Sequence, residues 1–209
     1  MTKSILLFSL ITLLHSQIHS QIKAITDQGD EVILYTDGTW QYAGDRTEEV
    51  EIPMNSKIFK KPAASGFEIK SKNIDMGFWI DPAKWTFHGS ENNSDSEYEL
   101  EMKGEDLYAM IITEKVEIPI LTLRSVALEN AISVSPDVEI VEEEYRTVNG
   151  QTVLFIQMNG TLDGIKFSYY GYYYSYEGGT VQFIAYTSQN LLPSYRKDCE
   201  DLLNGMVRK

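Results

Sequence analysis

The chain has 209 residues, with 18 Lys and Arg against 31 Asp and Glu and a formal net charge of −13. That balance argues against nucleic-acid binding, whose affinity comes largely from cations neutralising phosphates, and against adhesion to an anionic membrane surface. The length suits one good core plus a small appendage; with Cys199 the single cysteine, no internal disulfide forms and stability must come from packing.

Met1-Thr2-Lys3 supplies one positive charge, Ile5 to Leu14 is apolar apart from Ser9 and Thr12, and His15 to Ser20 is a polar tail ending on a small residue. This is the layout of a secretory signal peptide, residues 1–20, with an apolar centre too short to span a bilayer. Cleavage is expected after Ser20, leaving Gln21 first, in preference to Ser16. No cysteine follows the run, which argues against a lipid anchor. No later apolar run reaches about 18 residues. The mature protein is therefore expected to be periplasmic or extracellular, without membrane insertion.

Residues 21–43 read as a three-stranded meander: Ala24 to Thr26, Glu31 to Thr36 and Thr39 to Tyr42, with Asp37-Gly38 as a two-residue hairpin turn. That register sets Tyr35 opposite Trp40 and Ile33 opposite Tyr42, so Tyr35 and Trp40 become candidate surface aromatics on one face. A unit this small is not stable alone; it is expected to dock on the main domain, on a partner or on another copy. Val32 to Trp40 resembles the short "DGTW" β-meander that opens many exported bacterial envelope proteins, a resemblance that implies no activity.

Residues 44–66 lack either hydrophobic period, hold Pro53, Pro62 and Ala63-Ala64-Ser65-Gly66, and read as a linker made locally basic by Lys57, Lys60 and Lys61. The main domain is expected over 67–209. Trp79 and Trp85 flank a turn at Asp81-Pro82, and Glu91 to Glu97 is a loop rich in Asn, Ser and acids. Tyr98 to Lys103 and Leu107 to Glu114 form a hairpin. A helix is predicted over Thr122 to Val134, capped by Thr122 with Leu121 and Val126 as its staple, and stopped by Pro136. Four antiparallel strands follow, Val138–Val148, Thr152–Thr161, Ile165–Tyr176 and Thr180–Thr187, joined at Asn149-Gly150, Asp163-Gly164 and Gly178-Gly179.

Their register sorts the side chains. One face takes Val141, Tyr145, Leu154, Ile156, Met158, Tyr169, Tyr173 and Ile184. The other takes Glu142, Glu144, Arg146, Phe155, Tyr170, Tyr172, Tyr174 and Phe183. Pro193 opens a last helix expected to run to about Val207, burying Cys199, Leu202 and Leu203 with Tyr195 and Met206 on the same side.

A sheet apolar on both faces, with helices before and after it, predicts an α+β fold in which helices flank an antiparallel sheet. This order of elements over 67–209 resembles the PsbP-like α/β/α sandwich, best known from an extrinsic subunit of the photosynthetic oxygen-evolving complex. The resemblance implies a non-catalytic partner or assembly factor and carries over no site residues.

Enzyme signatures are sparse. His88 is the single histidine after the leader, read as a turn residue, and no nucleophile elbow, phosphate loop or His/Cys metal spacing occurs. No metal or cofactor is expected. The acidic loop lacks the alternating ladder and central glycine of a calcium loop and reads as solvated. The candidate site is the tyrosine strand: Tyr170, Tyr172 and Tyr174 share a face with Phe155, Glu142, Glu144 and Arg146, a composition suited to stacking and hydrogen bonding of a sugar or peptide. The competing reading places the same tyrosines beneath a helix. Three functions remain in order: a non-catalytic interaction module of the bacterial envelope acting through a protein partner, a small-ligand or glycan binder, and a hydrolase using Glu142 and Glu144.

Overall fold

The computed structural model describes residues 22–26, 31–43, 51–90 and 96–209. The expected leader, the first seven residues of the expected linker (44–50) and most of the acidic loop (91–95) lie outside the described residues. In chain order the strands are β1 (Ile22–Ile25), β2 (Glu31–Leu34), β3 (Trp40–Tyr42), β4 (Met54–Phe59), β5 (Phe67–Lys70), β6 (Met76–Ile80), β7 (Trp85–Gly89), β8 (Tyr98–Met102) and β9 (Tyr108–Glu114). Helix α1 (Ile120–Val134), β10 (Glu139–Val148), β11 (Gln151–Leu162), β12 (Ile165–Tyr176), β13 (Gly179–Ser188), α2 (Leu192–Leu203) and β14 (Met206–Arg208) complete it.

Eight strands form the central sheet in the order β4-β10-β11-β12-β13-β9-β8-β7, with β4 parallel to β10 and the remaining pairs antiparallel. Asn149-Gly150 and Asp163-Gly164 make the expected turns, all four residues at positive φ. The third turn is Glu177-Gly178, because Tyr176 pairs with Gly179. On β10 a bulge between Ile140 and Glu142 turns Ile140 to the core and leaves Val141 44% exposed, correcting its expected inward placement. Within the segment read as a linker, Met54–Phe59 is a sheet-edge strand, with Phe59 buried.

The rest of the four-strand register holds, and the sheet has two cores. Leu154, Ile156, Met158, Tyr173 and Ile184 pack under α1 through Leu123, Ala127 and Ala131. Phe155, Tyr170, Tyr172, Val181 and Phe183 pack with Cys199, Leu202 and Leu203 of α2 and with Phe78 of a second sheet, β14-β6-β5. The fold is thus α+β, a sheet flanked by helices, with the N-terminal meander as a three-stranded sheet of its own.

Three further local expectations need correcting. Helix α1 begins two residues early, with Pro119 in the cap position; Thr122 donates instead to Thr26 O at 3.4 Å and ties the meander to the helix. The last helix stops at Leu203: Gly205 passes so close to β6 that a Cβ would lie 1.9 Å from Trp79 O, and Met206–Arg208 then joins β6 as a strand. In the meander Tyr35 faces Thr39 across a three-residue turn. Gly38 alone takes positive φ there, while Asp37 accepts hydrogen bonds from Thr39 N and Oγ1 at 2.9 and 2.6 Å. That one-residue shift pairs Leu34 with Trp40 and Val32 with Tyr42, parting Tyr35 from Trp40.

Candidate functional site

The tyrosine strand is closed over. Phe155, Tyr170 and Tyr172 have 0% exposure and Tyr174 has 9%, because α2 and the sheet β14-β6-β5 close over this face. Arg146, itself 3% exposed, stacks 3.7 Å over the Phe155 ring and donates from Nε to Glu144 at 2.6 Å and from Nη1 to the Tyr170 and Tyr172 hydroxyls at 3.3 Å each. Those hydroxyls donate in turn to α2 and its end, Tyr170 to Glu200 at 3.1 Å and Tyr172 to Asn204 at 2.9 Å. Burial pushes the Tyr172 phenol up to about 12, so it stays a neutral donor.

This face therefore offers no open stacking surface, which corrects the expected ligand site. A strand rich in tyrosine suits an open binding face and a helix-covered face equally well; the clamp from Arg146 and α2 decides for the second. The two acids of the hydrolase reading also have separate partners, Glu142 with Arg196 at 2.8 Å and Glu144 with Arg146 and Asn55. His88 lies in β7 rather than a turn, with Nδ1 3.0 Å from Gly89 O. Trp40 is 54% exposed, and Tyr35 is half-buried.

The opposite face stays partly open for a geometric reason. Eight strands spaced about 4.8 Å apart span roughly 34 Å, while a helix is about 10 Å across. One helix cannot roof that width. Helix α1 packs over β12, and a bidentate pair from Arg124 to Glu143, at 2.5 and 2.7 Å, ties it to β10. What remains between α1 and β9 is a cleft of about 680 Å³. Met110, Ile112 and Ile184 make its floor with Tyr169 and Tyr173, and Leu123, Ala127 and Ala131 make its wall.

At one end Glu97 is locked as a fixed acceptor by Ser71 Oγ at 2.8 Å, Thr113 Oγ1 at 2.5 Å and Lys72 N. Glu97 and Glu114 are the charged members of the lining. Apolar surface with a few fixed polar groups is the chemistry of recognition. Sequence reasoning missed this cleft, although the signal was present: one mid-chain helix against at least six strands leaves sheet uncovered.

Fold and cleft define a PsbP-like sandwich with one half-open face. Cyanobacterial PsbP (CyanoP) from Synechocystis sp. PCC 6803 is similar at 13% identity over 71% of this chain and 95% of that one, with a TM-score of 0.53. A Pseudomonas aeruginosa protein of unknown function, described as a putative regulator, aligns at 10% identity over 68% of this chain and 96% of that one, with a TM-score of 0.44. LpqN of Mycobacterium tuberculosis, described as involved in cell envelope biogenesis, aligns at 8% over 68% and 88%, with a TM-score of 0.41. No protein-family model and no curated protein sequence matches the chain. The likeness to CyanoP establishes the fold and nothing of what this chain binds. Among the described residues, no helix is long and apolar enough to cross a membrane.

Proposed function

We propose that this chain is exported to the bacterial envelope, loses residues 1–20, and acts there as a non-catalytic interaction module whose cleft beside α1 receives an apolar segment of a protein partner. The observation that carries the reading is the half-roofed sheet: a preformed apolar floor beside a rim whose carboxylate is already held by two hydroxyls and a backbone N–H. The layout of the leader and the DGTW-type meander support export; the fold supports a binding role by analogy alone. On this reading 67–209 is the binding domain and 21–43 an accessory unit docked on it.

The test is affinity capture of the tagged full chain from its native envelope, wild type beside Met110→Arg. The reading expects a partner held by wild type and lost by a variant that still melts cooperatively. A captured set identical for both proteins overturns it, as does Met1-Thr2-Lys3 remaining on the bulk of the protein by mass spectrometry.

A further inference from the structure

Four cations gather at one edge of a chain in which acids far outnumber bases. Lys72 follows β5, Lys115 follows β9, Arg208 closes β14 and Lys209 follows it; with Tyr176 and the Glu177-Gly178 turn they line an open groove of about 630 Å³. Two of the four have carboxylate partners: Arg208 with Glu177 at 3.2 Å and Lys209 with Glu68 at 2.9 Å. Glu177 is 83% exposed, so water competes well for its hold on Arg208. Among the described residues Lys72 and Lys115 have no ion pair; Lys72 stands 5.0 Å over the Tyr98 ring and Lys115 is exposed. Asp75 is the other acid in the lining.

The groove is also ordered. The Arg208 guanidinium sits 4.4 Å over the Tyr176 ring, and that ring stacks on Tyr174 at 5.5 Å with 17° between planes. Stacked on a ring that is itself held by Tyr174, the guanidinium presents its fork in a set plane, which suits a planar or tetrahedral oxyanion. Tyr176 is 8% exposed, and its hydroxyl oxygen is buried with no hydrogen-bond partner among the described residues. Burial raises its pKa. What the phenol lacks is therefore an acceptor for its own proton, and a buried donor left unmet is costly.

We propose that this groove binds an oxyanion, a phosphate or carboxylate group, with Arg208 and Lys115 supplying charge and Tyr176 a hydrogen bond. The site lies apart from the cleft beside α1 and is independent of the function assigned to it. The test is a titration of the ¹⁵N-labelled full chain at constant ionic strength, with inorganic phosphate in one arm and a hexaglutamate peptide in the other. Saturable shifts at the Lys115, Gly178 and Arg208 amides are expected. Binding weakens at least fivefold with Lys115→Gln and with Arg208→Gln, and about threefold with Tyr176→Phe, a variant that keeps the ring and its stacking. Response to phosphate assigns a free phosphate group; response to the peptide alone assigns an acidic segment. Shifts reproduced by chloride, no saturable shift in either arm, or affinities unchanged in all three variants overturn the site.

Discussion

The two faces of the central sheet are covered by different means. On one, α2 and a three-stranded sheet close over Phe155, Tyr170 and Tyr172, and a buried Arg146 links strand hydroxyls to the helix side. On the other, the one helix among the described residues packs over β12, is tied to β10 by Arg124 and Glu143, covers part of the sheet and leaves a cleft. Equal tyrosine content on two faces thus says little about which face is accessible; the width of the covering layer decides.

The comparison is broken most sharply at the closed face. Tyr172→Ala is expected to cost about 4 kcal/mol, as aromatic core truncations do, and Tyr170→Ala a similar amount. Denaturant unfolding of both beside Leu154→Ala, a fully buried residue of the α1 core, checks this. A loss under about 1 kcal/mol at Tyr172 means that α2 does not seal that face.

Next in size is Arg146→Met, expected to cost about 3 kcal/mol, since removing one member of a buried ionic network strands the others. Glu144 and Glu200 are only 18% and 25% exposed in their side chains, and both lose the cation. A double variant that adds Glu144→Gln should recover part of the loss, and a melt no better than that of Arg146→Met alone counts against the pairing.

A smaller effect follows from pH. Burial on the inner side of α2 pushes the Cys199 thiol up to about 12, so the folded state keeps its proton while the unfolded chain releases it near its ordinary value. Stability from this group is complete below about pH 9 and declines as pH rises towards 12, with about 1 kcal/mol lost between pH 9 and 10 at one proton per molecule. Cys199→Ala should flatten that part of the curve. Native Cys199 should also label slowly until the protein unfolds, and fast labelling at pH 8 rejects the placement. The smallest change belongs to the open face: Met110→Ala, at the half-exposed cleft floor, is expected to cost under about 1 kcal/mol. An effect as large as that of Tyr172→Ala means the cleft is filled in the folded chain.

How far the sequence could be read depended on the range of the interaction. The hairpin signals at Asn149-Gly150 and Asp163-Gly164 are local, because positive φ at adjacent residues is a property of those residues; with period-two alternation they specified β10 to β13 and the membership of both faces, apart from Val141 at the bulge and the third turn. The same logic misjudged Asp37-Gly38, where the Asp37 carboxylate caps Thr39 and holds its own backbone out of the positive region. It also misplaced the end of α2, since only contact with Trp79 shows why the chain turns at Gly205.

By itself, then, the sequence determined the acidic character, the export-type leader pattern, the α+β class and the sorting of side chains about the central sheet, because charge, apolar run length and backbone preference are carried by neighbouring residues. Tertiary structure alone decided which face is sealed. Whether Tyr172 meets solvent or Asn204, 32 positions further along, depends on where α2 lands, and which strands are roofed on the other face depends on where α1 packs against β12. Such placements follow from the summed packing and ion pairing of distant segments, which no short window of sequence contains.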